Sequence, residues 1–504
     1  GAIRIVGRLS VGLFAAGGIE EAAEIASMAA DGAEAAGEPA GPPALRAGGA
    51  AIAAGDLKTG TRHVKRALKL LKKGEDAAAL ARANSAMAEI EIRSERPKKA
   101  LGWVDAALAA AEDVDDPGLR LSLHRMRARI LDLAGQADKS IEEIDRAIDL
   151  AGRLGDKARQ ADLYLERGER TLAAGAHEQA GFFLERAVHL ARSTGDPVRN
   201  AAALDRLGEF HRKRGHREAA LSVAREALAI RESLGRSSEL VGLLCQVGAD
   251  LEALDQRDEA ADLYRRAKAA AKEMGDDPGL ARAYHRLGGL HYAEGAHGKA
   301  LDEYAKALEL WKRLGERAQM GGIYHNIGML QQAQGDNAKA LEYFKRSEAI
   351  KRELGDEAGS ARTANHIARI HAAWKEYGLA FECLDRAIDV LFAQKDWASL
   401  ATSHNVRGQI LAEMEKYQEA LAAYAKSAQI LESIGDSRGL AACLNNIALV
   451  HKARGDLHQA LKHFQQAAAI QEKIGDRRGL AATYNNIGVV HDSRGDYDHA
   501  LAEF

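Results

Sequence analysis

Aromatic residues, proline and cysteine are all scarce in this sequence of 504 residues. Aromatic residues account for 5% of the chain and proline for seven positions, whereas alanine is abundant, and this composition favours α-helix over β-sheet. The three cysteines, Cys245, Cys383 and Cys443, are far apart and form no CxxC pair. Because that spacing argues against a disulfide-bonded scaffold, we expect buried free thiols in a cytoplasmic protein.

Long apolar runs and an excess of one charge are also missing. Charged residues make up 28% of the sequence but balance to a formal net charge of −3, without a basic tract or an acidic tail. No apolar stretch reaches the ~18 residues that a membrane span needs, and residues 1–16 lack the pattern of a signal peptide. We therefore expect neither a nucleic-acid partner nor a membrane partner. Because the chain starts without methionine and ends inside a repeat, we expect a piece of a longer protein.

Enzyme signatures are lacking as well. No two of the 18 histidines are three or four residues apart, which excludes an HExxH-type metal site on a helix, and no GxSxG, CxxC or kinase motif occurs. The segment 55–61 (GDLKTGT) faintly resembles a phosphate-binding loop, but its lysine is misplaced and no strand precedes it, so we interpret it as a turn. The sequence predicts a protein that is not an enzyme and binds no cofactor or metal.

What the sequence does contain is a repeat with a period of 40 residues. The segment 445–448 (NNIA) returns as 485–488 (NNIG), and Gly455-Asp456 returns as Gly495-Asp496. Alanine recurs every 40 residues from Ala180 to Ala500, and the register persists back to Gly55 without an insertion. A fixed period of this size is typical of a solenoid, in which each repeat is one supersecondary unit.

Each period contains two helical stretches separated by turn signals. Gly-Asp pairs mark the turns, because glycine adopts the left-handed conformation that ends a helix. Asp-Pro pairs at 116–117, 196–197 and 277–278 put a capping carboxylate before a proline at the first helical position. Small residues at position 328 and its equivalents allow close helix packing, and a column of large residues fills the space between: Tyr264, Tyr304, Phe344, Tyr424, Phe464 and Phe504.

These columns resemble the tetratricopeptide repeat. One copy reads Ile327-Gly328, Gln331, Gly335, Ala340 and Phe344, and Asn-Asn-Ile-Gly with Gly-Asp is similar to the long-repeat subclass of Pins/LGN adaptors and, less closely, kinesin light chains. The sequence departs from the family in having His or Gln at the first aromatic position and six extra residues per repeat. The resemblance implies an all-α solenoid, a right-handed superhelix of about twelve antiparallel helix pairs. We expect a degenerate helical hairpin and a breaker-rich connection over residues 1–42, and the repeat array, with its last repeat truncated, over residues 43–504.

Histidine occupies that first aromatic position in five repeats. We interpret these residues as partly buried packing residues, with a zinc or proton-relay site as the alternative: His211, His291, His371, His451 and His491.

A second polar column is the candidate site. In the tetratricopeptide family this side of the first helix lines the concave groove, and asparagines there commonly bind the backbone of a partner. A carboxamide suits that role because it both donates and accepts hydrogen bonds. The alternative is that these side chains bond the next helix and stabilise the stack. The predicted peptide-binding residues are His285, Arg286, His325, Asn326, Asn365, His366, Asn405, Asn445, Asn446, Asn485 and Asn486.

The resemblance therefore predicts a non-catalytic interaction scaffold for a peptide or a domain surface. Arginines beside the column could add charge-assisted bonds to an acidic ligand: Arg282, Arg286, Arg362 and Arg369. The alternative function is the sensor or regulatory array of a larger signalling protein, such as a kinase, a cyclase or a STAND-type ATPase. In that case the ligand would be another domain of the same polypeptide.

Overall fold

The computed structural model describes residues 26–28, 30, 31, 33, 41–71 and 76–503. Between residues 41 and 503 the described chain forms 24 α-helices and no β-strand. Short turns join the helices into twelve antiparallel pairs, and in the first eleven pairs the two helices pack against each other more extensively than helices of different pairs do. We call the odd-numbered helix of each pair the first helix and the even-numbered helix the second helix. The predicted all-α array of helix pairs is confirmed.

The pairs fall into two compact units, residues 1–236 and 237–504. The first unit contains α1 (Gly41–Ala53), α2 (Leu57–Leu71), α3 (Ala77–Arg93), α4 (Pro97–Ala110), α5 (Pro117–Leu133), α6 (Ala137–Arg153), α7 (Lys157–Ala173), α8 (His177–Ser193), α9 (Pro197–Lys213) and α10 (Arg217–Leu234). The second unit contains α11 (Ser238–Ala253), α12 (Arg257–Met274), α13 (Asp277–Ala293), α14 (His297–Leu314), α15 (Arg317–Ala333), α16 (Asn337–Glu353), α17 (Glu357–Ala373), α18 (Tyr377–Ala393), α19 (Trp397–Glu413), α20 (Tyr417–Ser433), α21 (Ser437–Ala453), α22 (Leu457–Lys473), α23 (Arg477–Ser493) and α24 (Tyr497–Glu503).

The hairpin expected within residues 1–42 lies almost entirely outside the described residues. In the described residues helix α1 spans Gly41–Ala53, and Pro42 and Pro43 lie in its first turn. Proline is tolerated there because the first amide groups of a helix have no partner within the helix.

Aspartate side chains cap two helices at the residues that the Asp-Pro pairs of the sequence predict. Asp116 accepts a hydrogen bond from the backbone N–H of Leu119 at 2.9 Å, and Asp196 caps α9 in the same way. The third prediction is wrong by one residue, because the cap of α13 is Asp276 and not Asp277. The capping carboxylate compensates for helical N–H groups that would otherwise lack an acceptor.

The turn between the two helices of a pair requires a left-handed residue whether or not glycine is present. Gly455 has a φ of 80°, as expected. Asp255, Lys375 and Glu415 stand at the same position of other repeats and still have φ values of 60°, 62° and 60°. The packing of the two helices therefore fixes the turn, since such a backbone is unfavourable for a residue with a Cβ atom.

The core of each pair forms where an aromatic ring of the second helix packs on a glycine of the first. A Cβ atom added to Gly328 would lie 2.7 Å from the ring of Phe344, and one added to Gly408 would lie 2.7 Å from the ring of Tyr424. Phe344 is fully buried and Tyr424 is 3% exposed. The predicted reason for the small column, close approach of the two helices, is confirmed.

Successive first helices of the second unit also approach one another. Cα atoms come within 8 Å between α11 and α13, α13 and α15, α17 and α19, α19 and α21, and α21 and α23, with no comparable approach between successive second helices of the described chain. Within this unit the first helices therefore lie closer to one another than the second helices do. The loosest approach is between α15 and α17. No helix among the described residues is both long and apolar enough to cross a membrane.

Candidate functional site

The predicted peptide-binding residues lie on one side of six first helices, α13, α15, α17, α19, α21 and α23. Arg286 and Asn485 are exposed, Asn365 is 5% exposed, and the remaining eight are half-buried. We call this surface the amide face, and it consists of His285, Arg286, His325, Asn326, Asn365, His366, Asn405, Asn445, Asn446, Asn485 and Asn486.

Side chains of the amide face bond from one repeat to the next. Asn326 donates through Nδ2 to Nε2 of His285 at 2.8 Å, and Asn446 donates through Nδ2 to Oδ1 of Asn405 at 3.0 Å. In both cases the partners are 41 positions apart. A ring nitrogen can accept in this way because burial lowers the pKa of His285 to about 4 and keeps the imidazole neutral.

The other bonds of this kind involve a hydroxyl group two positions before the predicted column. Ser403 donates to Oδ1 of Asn365 at 2.9 Å. Asn445 and Thr483 exchange two bonds, at 2.9 and 3.2 Å. The Oγ1 atom of Thr363 lies 3.2 Å from Nδ1 of His325. Every interface between successive first helices from α13 to α23 therefore carries a hydrogen bond from the amide face, which we call the ladder.

The hydroxyl partners were not among the predicted site residues. They occupy a position that otherwise holds Ala283, Ile323 and Cys443, and small polar residues inside an apolar column are the signal that would have found them. Thr363, Ser403 and Thr483 are fully buried, so each needs a hydrogen-bond partner inside the protein.

The ladder occupies only part of the hydrogen-bonding capacity of the asparagines. Oδ1 of Asn326, Nδ2 of Asn365, Nδ2 of Asn405 and Oδ1 of Asn446 make no hydrogen bond within the described residues, and none of them is a buried unsatisfied atom. In Asn445 both polar atoms are used. Bonding within the stack is thus the observed state, and contact with a peptide stays a prediction that the free groups would serve.

Two histidines of the amide face, His325 on α15 and His366 on α17, contact each other. The rings of His325 and His366 meet edge to face with centroids 5.0 Å apart, and His366 stacks on Phe344. Burial lowers the pKa of His325 to about 3 and that of His366 to about 4, so both are neutral at physiological pH. Beside them opens a cavity of about 320 Å³, which we call the basic pocket and which contains Lys351, Arg362 and Arg369 in its wall.

The corresponding face of the first unit carries charged side chains, and its arginines form ion pairs with carboxylates of the same unit. A cavity of about 670 Å³ lies along α5 and α7, with Arg125 and Arg170 on its wall. Arg125 contacts Glu166 at 2.6 Å, and Arg170 contacts both Glu166 and Asp132. Leu163, Glu166 and Glu169 of α7 also line this cavity, so its wall combines apolar and acidic side chains with the arginines.

The histidines at the first aromatic position lie at the turn between the paired helices. Nδ1 of His371 contacts Glu376 at 2.6 Å, and equivalent pairs at 3.7 and 3.5 Å join His451 to Asp456 and His491 to Asp496. In the described residues, one group, His491, Asp496 and His499, has its atoms close enough to hold a metal ion. Because the carboxylate pairing recurs where no third ligand is present, the pairing by itself explains the His491–Asp496 contact.

Comparison with protein-family models identifies repeats over the second unit and the end of the first. Tetratricopeptide repeat models match residues 200–236, 239–313, 319–391, 399–473 and 441–504, which is more than half of the chain. The chain belongs to the tetratricopeptide repeat family. Tetratricopeptide repeats are typically non-catalytic and bind proteins. A comparison with curated proteins finds no match.

Solved structures with similar folds include other helical repeat proteins. Aspartyl phosphate phosphatase F from Bacillus subtilis is 15% identical over 71% of this tetratricopeptide repeat protein and 94% of that one, with a TM-score of 0.50. A Rap protein complexed with competence and sporulation factor is 16% identical, with 83% and 99% covered and a TM-score of 0.44. BtubC (BKLC) from P. vanneervenii is 22% identical, with 44% and 91% covered and a TM-score of 0.39. At 15% identity the likeness to aspartyl phosphate phosphatase F concerns the fold alone.

Proposed function

We propose that this protein is a non-catalytic scaffold that binds an extended peptide, or an extended segment of a larger partner, along the amide face. The observation that carries this proposal is that four asparagines of the amide face, Asn326, Asn365, Asn405 and Asn446, use one end of the carboxamide within the stack and leave the other end free. One end of the carboxamide of Asn405 is fixed by the ladder, and its other end has no partner within the described residues. A side chain held by one bond loses little further freedom when its second bond forms.

The hydrogen-bonding chemistry of the free groups suits a peptide backbone. Successive first helices present one free donor or acceptor per repeat, from Asn326 to Asn446, and a peptide unit offers both an N–H and a C=O group. Contacts spread over several repeats allow affinity to accumulate without one deep apolar pocket. The specificity of such a site for side chains then depends on the residues beside the asparagines.

The proposal is tested by a variant that keeps the ladder and removes only the free group. Asn405→Asp retains an oxygen that can accept from Asn446 but replaces the free NH₂ group by oxygen. We expect linear peptides selected on the wild-type protein to bind this variant about tenfold more weakly, which corresponds to about 1.4 kcal/mol. The melting temperature should stay close to the wild-type value.

Asn445→Ala is the matched control, because both polar atoms of Asn445 are already used within the stack. This variant should lose stability while affinity changes less than in Asn405→Asp. The opposite pattern, intact binding by Asn405→Asp at unchanged stability, would show that the amide face is a packing feature only.

The sensor or regulatory role in a larger signalling protein remains the alternative. In that case the ligand of the amide face is another domain of the same polypeptide. Both roles use the same surface, so the Asn405→Asp test applies to each of them.

A further inference from the structure

Another cavity of the second unit lies between α16, α17 and α18, and we call it the α17 cavity. Its volume is about 390 Å³, and five small side chains form its inner wall: Ser360, Ala361, Ala364, Cys383 and Ala387. Each of the five is at most 9% exposed. None of the residues that line this cavity also lines the basic pocket, so the two recesses are separate.

The α17 cavity exists because two of these residues are smaller than their equivalents in other repeats. The other repeats of the second unit have a large side chain at the position of Ala364: Leu244, Tyr284, Tyr324, His404, Leu444 and Tyr484. At the position of Ser360 they have leucine or methionine: Leu240, Leu280, Met320, Leu400, Leu440 and Leu480. Protein interiors are normally close-packed, so a recess at this one repeat is not a requirement of the fold.

In the preceding repeat a stacked pair of aromatic rings occupies the equivalent positions. Tyr324 of α15 and Tyr343 of α16 stack with ring centroids 6.1 Å apart and an interplanar angle of 30°. The same two positions hold Tyr164 and Phe183 in the first unit, and these rings stack in the same way at 6.2 Å. In α17 and α18 the two positions carry no ring, and the α17 cavity lies there.

The cation that covers the ring pair of the preceding repeat is retained beside the α17 cavity. The guanidinium group of Arg346 lies 5.8 Å from the ring centroids of both Tyr324 and Tyr343. Arg386 stands 40 positions after Arg346 and lines the cavity, with Nη2 3.8 Å from Sγ of Cys383. It forms no ion pair within the described residues. A guanidinium group attracts the face of an aromatic ring, so Arg386 is placed to cover a ring in the cavity.

The wall of the α17 cavity also offers one free hydroxyl group. Ser360 is 7% exposed, and its hydroxyl makes no hydrogen bond within the described residues. Buried hydroxyl groups normally have a partner, so Ser360 can bond a polar atom of a ligand.

The rim of the α17 cavity carries charges of both signs and therefore does not select a charged ligand: Glu348, Arg352, Glu357, Arg386 and Asp389. An apolar recess with a polar rim is typical of the pocket that holds a tyrosine side chain at a protein interface. An apolar cavity of ~150 Å³ already holds benzene, so the volume is sufficient for a phenol ring.

We propose that the α17 cavity binds a tyrosine side chain of a partner protein. The ring contacts Ala364 and lies where the preceding repeat has its own pair of rings. Arg386 covers the face of the ring, and the phenol hydroxyl bonds the hydroxyl of Ser360. This site shares no residue with the amide face, so the proposal adds a second binding surface and does not depend on the proposed function.

Binding is measured by fluorine NMR with a heptapeptide of glycine and serine that carries 3-fluorotyrosine at its centre. Unlabelled heptapeptides with tyrosine, phenylalanine or cyclohexylalanine at the centre compete with this probe. We expect the tyrosine peptide to displace the probe at concentrations at least about threefold lower than the cyclohexylalanine peptide, because a saturated ring has no π face for Arg386. Equal displacement by all three peptides would contradict recognition of an aromatic ring.

Ala364→Tyr fills the cavity with a ring of the chain itself. We expect it to bind the probe at least about tenfold more weakly than the wild type and to melt at the same temperature or higher, since it fills a cavity. Ala373→Tyr, at the exposed end of α17, is the matched control and should bind the probe like the wild type. A lower melting temperature of Ala364→Tyr would show overpacking, and the proposed space for a ring would be wrong.

Two exposed arginines test the same site without a change in the core. Arg386→Met should weaken binding of the probe about threefold, whereas Arg346→Met, in the preceding repeat, should leave it unchanged. Ser360→Ala should remove the preference for tyrosine over phenylalanine. Unchanged binding by Arg386→Met would contradict the proposed position of the ring.

Asn405→Asp separates this proposal from binding along the amide face. This variant should bind the probe like the wild type, and equal weakening by Asn405→Asp and Ala364→Tyr would mean that the probe does not report the α17 cavity and that the proposal is wrong. N-acetyl-tyrosinamide tests the source of the ring. Binding of this amide without binding of the heptapeptide would assign the cavity to small aromatic molecules and contradict a protein partner.

Discussion

The carboxamide of Asn446 donates to Oδ1 of Asn405 across 3.0 Å, and the two residues belong to first helices of successive repeats. Because the partners are 41 positions apart, a single helix pair cannot make this bond. The bond ties the orientation of a surface amide to the stacking of neighbouring repeats. A substitution that disturbs the stacking of the repeats is therefore expected to change the orientation of the amide groups on the surface as well.

Thr483→Val tests the contribution of the ladder to stability. Thr483 is fully buried, and its hydroxyl accepts from Nδ2 of Asn445 at 2.9 Å and directs its single proton towards Oε1 of Gln471 at 2.7 Å and Oδ1 of Asn445 at 3.2 Å. Valine has nearly the same shape but leaves the groups of both partners unsatisfied, which should lower the free energy of unfolding by about 1–3 kcal/mol. Thermal and urea unfolding measure the loss. Thr402→Val, at an exposed site of α19, should change stability by less than about 0.5 kcal/mol, and an equal effect of both variants would contradict the ladder.

Gly328→Ala tests the close approach of the paired helices. The new Cβ atom would lie 2.7 Å from the ring of Phe344, so one of the two helices must shift, at a cost of about 1–3 kcal/mol. Gly322, six positions earlier on the same helix, has nothing within 4 Å of an added Cβ atom. Gly322→Ala should therefore raise the melting temperature through its better helix propensity. Two variants with the same sign of change would mean that packing does not select glycine at position 328.

Glu143→Gln tests the buried ion cluster of the first unit. The Glu143 side chain is 2% exposed and contacts His124 at 2.6 Å, Arg127 at 2.7 Å and Arg146 at 2.6 Å. Burial by itself raises the pKa of Glu143, but the hydrogen bond from His124 and the charge of Arg127 outweigh it, so the pKa is lowered. We expect Glu143→Gln to lower the free energy of unfolding by about 2 kcal/mol at neutral pH, because a neutral amide does not compensate the charges of Arg127 and Arg146.

The lowered pKa of Glu143 also fixes the sign of its pH dependence. The contribution is fully present above the ordinary carboxyl pKa of 4.5 and is lost as the pH falls through the lower pKa of the folded state. The difference between wild type and Glu143→Gln should therefore shrink in acid. Urea unfolding at neutral and acidic pH measures this difference. Glu142→Gln, at the exposed neighbouring position, should show neither effect.

The neutral histidines predict loss of stability of the second unit in mild acid. The pKa values of His285, His325 and His366 are lowered by burial to about 4, 3 and 4, and the charges facing them are those of Arg286, Lys351, Arg362 and Arg369. Between pH 6.5 and these values the unfolded chain binds protons that the folded chain does not, so stability falls as the pH is lowered. The slope is at most about 1.4 kcal/mol per pH unit for each histidine.

The histidine prediction is checked by thermal unfolding from pH 7 to pH 4. The double variant His325→Gln, His366→Gln should have a flatter profile than the wild type. His458→Gln, at an exposed site of α22, should keep the wild-type profile. An identical profile of the double variant and the wild type would indicate that these imidazoles become protonated without cost.

Most of the fold could be predicted because it depends on local patterns that recur every 40 residues. Helix starts follow from aspartates such as Asp116, and the aromatic column packs on glycines such as Gly328, where the sequence places them. The cap of α13 was predicted one residue late because two aspartates, Asp276 and Asp277, precede Pro278 and their spacing cannot decide between them. The amide face was located by its period, but its bonds to Thr363, Ser403 and Thr483 were not predicted.

The sequence by itself determined the period, the helix pairs and the side of the first helix on which the asparagines lie, because these follow from spacing along one chain. Only the tertiary structure decided which atoms of those asparagines remain free, since their partners come from a repeat 38 or 41 positions away and the pairing depends on how helices stack. The basic pocket likewise required coordinates. Lys351 on a second helix and Arg369 on the next first helix share a recess only after the repeats have packed, and charge compensation is a property of that packed arrangement.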